Sequence, residues 1–224
     1  MTYSITNIPQ SQTTNMSQRQ SSTQSFLETC IGVIVVPVPT MRTIVRRRPI
    51  GWALIVIVVI AIAQGITGAA SLDPADFDDE ALVQGPLQGF SIVGGPALAI
   101  LGVAFFTAIC WIMSRILGGH GSYGGLFAGF GFVYLPAVFT VPVTFMALQL
   151  DAFAQGLSGL VGFGIAVWTI VLSVFAVQAN NNFSTGRAIA AVFIPLAVFF
   201  VILLALFVFI VVMILIALNE GFAS

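Results

Sequence analysis

Apolar residues along this chain gather into five stretches, each long enough to cross a bilayer, with short polar segments between them. A spanning α-helix needs roughly 20 mainly apolar residues to cover ~30 Å of hydrocarbon. Residues 51–70, about 95–117, 126–150, about 156–179 and 188–218 meet that requirement. The fifth is too long, because its 31 residues at ~1.5 Å each reach ~46 Å. It must tilt, or begin outside the hydrocarbon. Pro195 removes a backbone donor and clashes with the preceding turn, so a bend is expected there, with the steeper span beginning near it. Pro136 and Pro142 are expected to kink the third span.

Residues 26–45, FLETCIGVIVVPVPTMRTIV, are also apolar but carry Glu28, Arg42 and two prolines. Pro37 and Pro39 would break a continuous span. Residues 26–50 are therefore expected to form an interfacial amphipathic segment, lying on or dipping into the membrane surface. Residues 1–25 are mostly Ser, Thr, Gln and Asn, which cannot bury enough apolar surface to offset ordering entropy. They predict a disordered polar tail, and no cleavable signal, since no apolar run follows a basic start. The expected organisation is a tail at 1–25, the interfacial segment at 26–50, a five-helix membrane domain at 51–218 and a short external tail at 219–224. The fold class is all-α, a polytopic integral membrane protein.

Composition removes the alternatives. The chain is 58% apolar and 7% charged, where a soluble domain carries about 25% charge. A soluble domain, a nucleic-acid binder and a disordered polymer are excluded. Every basic residue is Arg. Arg19, Arg42, Arg46, Arg47, Arg48 and Arg187 lie in or beside segments on one side of the five spans, and Arg115 ends the second span on that side. Asp73, Asp76, Asp78, Asp79, Glu80, Asp151 and Glu220 lie on the other. Arginine excess marks the cytoplasm, so the N-terminus is expected inside and the C-terminus outside. The sequons at Asn15 and Asn182 are then on the wrong side for glycosylation.

Arg42, Arg46, Arg47, Arg48 and Arg187 are the expected headgroup contacts, each worth ~1 kcal/mol near an anionic surface. For the 42–48 cluster the alternative is a plain stop on translocation. Arg187 is expected to be held by the carbonyls ending the second and fourth spans, or by lipid phosphate.

Chemistry is sparse. No ionisable residue lies at membrane depth, so a proton-coupled pump or carboxylate-lined channel has nothing to work with. The polar groups there are Gln64, Thr67, Thr107, Tyr134, Thr140, Thr144, Thr169 and Ser173, and the hydroxyls are expected to bond back to their own helices. His120 stands alone in GGHGSYGG, with neither the ligands of a metal site nor the partners of a triad. Cys30 and Cys110 are expected to be free thiols. The acidic run at 73–80 could gather a cation, but lacks EF-hand spacing and reads first as a solvated loop. No enzyme activity, catalytic residue, metal or cofactor is expected. Gly125 and Gly129 form a GxxxG step, and Ser158 and Gly162 repeat the spacing. Such small residues let helices approach closely. Packing of helices three and four, or dimerisation through the same faces, is expected.

The chain resembles the Yip1 family of five-helix membrane proteins. The resemblance runs over roughly residues 30–215. It is carried by VPVPTMRTIVRRRP before the first span, LGGHGSYGG after the second, FGFVYLP with Pro136 in the third, and Trp168 with Leu172 followed by FSTGRAIAAV. Eukaryotic members look like organisers of vesicle traffic that associate with small GTPases and with one another. Their Asp-Leu-Tyr-Gly-Pro type stretch is absent here, which argues against GTPase binding and for a prokaryotic plasma membrane over the endoplasmic reticulum or Golgi. The resemblance implies a non-enzymatic protein whose partners are the lipid bilayer and further copies of itself or other membrane proteins. A small transporter or channel for a neutral or weakly polar solute is the alternative.

Overall fold

Eight α-helices occur among the described residues, which are 25–70, 80–149 and 152–221 of a computed structural model. They are α1 (Phe26–Val35), α2 (Pro37–Arg47), α3 (Ile50–Ala70), α4 (Glu80–Ile116), α5 (Tyr123–Val133), α6 (Thr140–Gln149), α7 (Ala152–Asn181) and α8 (Thr185–Gly221). A short 3₁₀ helix, Leu135–Phe139, joins α5 to α6. Five segments are long and apolar enough to span a membrane: Ile50–Ala70, Ile92–Ile116, Tyr123–Ala147, Gly156–Asn181 and Thr185–Met213. The fold is all-α and polytopic, as the apolar stretches require. The expected polar tail, Arg19, Asn15 and the acidic loop up to Asp79 fall outside the described residues, as does Asp151.

The segment before the first span is two helices, and its local chemistry explains both. The Glu28 N–H donates to Ser25 Oγ at 3.2 Å, and the Ser25 N–H donates to Glu28 Oε2 at 2.9 Å. This capping box satisfies two orphan donors and accounts for an acid in an apolar run. Val36 leaves helical geometry, and Pro37 starts α2 at a position where a missing N–H costs nothing. Outwardly α1 presents Leu27, Ile31 and Val35, all exposed apolar residues suited to an interface. Inwardly the segment is anchored in protein: Val33, Met41 and Ile44 are fully buried. Arg46 and Arg47 sit in the last turn of α2, where the helix dipole favours cations.

The third span is the centre of the bundle. Every residue from Gly125 to Val133 is buried, because α2, α3, α4 and α7 all pack against α5. An apolar helix with no polar face is the kind that is enclosed. Its interruption differs from a kink. Helix α5 stops at Tyr134, buried Pro136 falls in the first turn of the 3₁₀ helix, and Pro142 falls in the first turn of α6. Both prolines start helices, where no N–H is required, so the span stops and restarts. Pro195 lies buried inside α8, which runs through it uninterrupted.

Candidate functional site

Alternating spans bring the start of α3, the ends of α4 and α7, and the starts of α5 and α8 to one end of the bundle. Arg42, Arg46, Arg47, Arg48, Arg115 and Arg187 belong to that end. Two loops close it. Helix α4 ends with Gly118 at φ 83°, the Gly118 N–H donating to the Arg115 carbonyl at 3.0 Å and the Gly119 N–H to the Ser114 carbonyl at 2.8 Å. Helix α7 ends with Asn182 at φ 52°, and the Phe183 N–H donates to the Gln178 carbonyl at 3.2 Å. Both closures are of the left-handed kind that satisfies terminal carbonyls, and Gly and Asn are the residues that tolerate that geometry.

A polar latch ties the two loops together. Asn181 Oδ1 accepts from the Gly121 N–H at 3.0 Å, and Asn180 Nδ2 donates to the Ser122 carbonyl at 3.1 Å. Trp111 Nε1 donates to the Gly121 carbonyl at 3.1 Å, and Arg115 donates to the same oxygen at 3.3 Å. The Arg115 guanidinium also lies 5.2 Å from the Trp111 ring centroid, a cation–π distance. Ser122 caps α5 by accepting from the Gly125 N–H at 3.1 Å. Asn180 and Asn181 were not among the residues singled out by sequence. Two adjacent amides ending an apolar helix are the available signal, since buried amides persist only when bonded.

Gly125 and Gly129 sit inside this architecture. A Cβ on Gly125 would stand 2.8 Å from the Val45 carbonyl oxygen and 2.8 Å from Asn180 Oδ1. One on Gly129 would stand 3.1 Å from the Ala176 Cβ. The GxxxG step therefore brings α5 onto α2 and α7 within one chain, and its glycines are covered. Gly162 does not meet α5. A Cβ there would find nothing within 4 Å, and the same holds for Gly156, Gly159 and Gly164.

The arginines differ from one another. Arg42 is exposed, bonds to no described residue, and lines a cavity of about 160 Å³ with Gln178, Asn182 and Val38. Arg46 and Arg48 are exposed at the end of α2, as is Arg47. Arg187 is exposed in the first turn of α8, and no described carbonyl holds it. That corrects the expectation of a carbonyl partner. The local closures at Gly119 and Phe183 already occupy terminal acceptors of α4 and α7, and Arg115 takes the Gly121 carbonyl. Lipid phosphate remains the partner proposed for Arg187.

Four of the hydroxyls at depth donate to backbone carbonyls three or four residues back along the chain. Thr107 donates to Val103 O at 2.6 Å, Thr140 to Ala137 O at 2.7 Å, Thr169 to Ile165 O at 2.9 Å and Ser173 to Thr169 O at 2.8 Å. His120 is exposed.

Both cysteines are free thiols, and Cys110 is fully buried. Cys30 faces Phe26, Val56 and Leu135 in an apolar recess, and burial pushes its thiol above the ordinary value. The thiolate is the nucleophile, so less of it is present at any given pH. Maleimide labelling of the folded protein at neutral pH should be slower than that of a free thiol and should rise with pH beyond the usual thiol range. Cys30→Ser should remove it. Mass spectrometry of labelled protein checks this, and fast labelling at neutral pH would contradict it.

The family model described as Yip1 domain matches residues 31–207 of the chain. No curated protein and no solved structure matches it.

Proposed function

This chain belongs to the Yip1 domain family, and within it we propose that the protein is a non-enzymatic membrane organiser that assembles with further copies of itself. The observation that carries this reading is the last span. Helix α8 packs against α4 and α7 through Ala188, Ala191, Val192 and Pro195, all buried. Beyond them, from Val198 to Met213, its large apolar side chains are between 37% and 65% exposed. Lipid can cover such a helix, but its surface stays available to another helix, and in membranes close packing is what selects helix partners. The uncovered glycines of α7 add a second surface of the same kind, with Gly162 on it.

The reading includes an N-terminus in the cytoplasm of a prokaryotic cell, supported by the gathering of arginines at one end of the bundle. It includes headgroup contact by Arg42, Arg46, Arg47, Arg48 and Arg187. The test is cross-linking in native membranes. Gly162→Cys, in a chain carrying Cys30→Ser and Cys110→Ser, should give an oxidised dimer, and the unmodified chain should elute as an oligomer in mild detergent. A monomer in detergent that cross-links to nothing in cells would defeat the proposal.

A further inference from the structure

We propose that the Arg42 cavity and the groove beside it form a binding site for one anionic phospholipid, its phosphate on Arg42 and an acyl chain between α7 and α8. This deepens the headgroup-contact part of the reading above and does not depend on self-assembly. The cavity offers donors without competing acceptor charge. Among the described residues, Arg42 brings a guanidinium with no partner, Gln178 and Asn182 bring amides, and no carboxylate lines the space. Arginine and amide N–H groups are the donors that recognise phosphate oxygens, and charge assistance roughly doubles the strength of such bonds.

The second observation is what adjoins it. A groove of about 480 Å³, lined by Val167, Val171, Val174, Ile189 and Phe193, runs between α7 and α8 with an apolar lining. Phe175 lines both spaces. Gln178, in the polar cavity, donates to the Thr185 hydroxyl at 3.4 Å, and Thr185 lines the groove. A polar chamber adjoining an apolar groove fits an amphiphile with a charged head and a hydrocarbon tail. Free phosphate would use only the first half. The cationic end of a phosphatidylcholine would find no anion among the described residues of the chamber, so a net anionic headgroup is the better match.

Native mass spectrometry of the full chain in detergent, titrated with phosphatidylglycerol, tests this. One lipid should be retained in preference to phosphatidylcholine, and inorganic phosphate at millimolar concentration should not displace it. Arg42→Gln should weaken retention about tenfold, a single charge-assisted contact, while Arg46→Gln, whose headgroup contact lies outside the cavity, should weaken it clearly less, by about twofold, through the screened surface field alone. Val171→Trp, which fills the groove from another helix, should weaken retention several-fold without touching the chamber. Equal loss from Arg42→Gln and Arg46→Gln would leave a diffuse basic surface and overturn the pocket. Loss from neither would overturn the headgroup reading as well. Displacement by phosphate, or full retention in Val171→Trp, would overturn the lipid as occupant.

Discussion

Gly131→Val is expected to abolish recovery of folded protein. A Cβ at this position would lie 2.6 Å from the Ala53 Cβ, 3.1 Å from its Cα and 3.2 Å from its carbonyl oxygen. Two of those atoms are backbone, so no side-chain rotation relieves the contact, and α3 and α5 must part. Helix α5 has nowhere to retreat, since Leu126, Ala128 and Phe132 on its other faces are fully buried. Overpacking costs typically about 1–3 kcal/mol, and a backbone clash at the bundle centre belongs at the top of that range. Marginal stabilities of about 5–15 kcal/mol leave limited room for such a loss. A fluorescent fusion run on size exclusion should show aggregate for Gly131→Val and a single symmetric peak for Gly162→Val, whose Cβ meets nothing. A sharp peak with unchanged melting for Gly131→Val would refute the close approach.

The contrast between those two glycines marks what the sequence could and could not convey. Length and apolarity set the five spans, and residues 51–70 as read from sequence differ by one residue from Ile50–Ala70. Small-residue spacing announced that α5 has a face for close packing. It could not announce the register, and Gly129 meets Ala176 where Gly162 was expected. Prolines announced an interruption in the third span. Whether a proline bends a helix or starts a new one depends on the residue before it, and Tyr134 closes α5 before Pro136 begins the next turn. The arginines were legible as one end of the bundle, but not as individuals. Arg115 is satisfied by Trp111 and Gly121 close to it in sequence, whereas Arg42 opens into a cavity closed by Gln178 and Asn182 at the far end of α7; that long-range pairing is what the sequence does not show.

Asn181→Leu should destabilise the protein by about 2 kcal/mol, because it strands the Gly121 N–H in a buried loop. An unsatisfied buried donor costs about 1–3 kcal/mol, more than the net worth of the bond itself. The same substitution removes the donor to the Val177 carbonyl, which sits at 3.1 Å. Trp111→Phe should cost less, about 1 kcal/mol, since Arg115 still serves the Gly121 carbonyl. Arg115→Gln alone should likewise be mild, leaving Trp111 in place. The pair Trp111→Phe with Arg115→Gln empties that carbonyl altogether, so its cost should exceed the sum of the singles. Neighbours sharing one partner couple by about 0.5–3 kcal/mol in such cycles. Equilibrium denaturation of the four proteins in one detergent measures this. Strict additivity would mean that the Gly121 carbonyl is served by water, and that the latch does not hold the two loops together through protein donors.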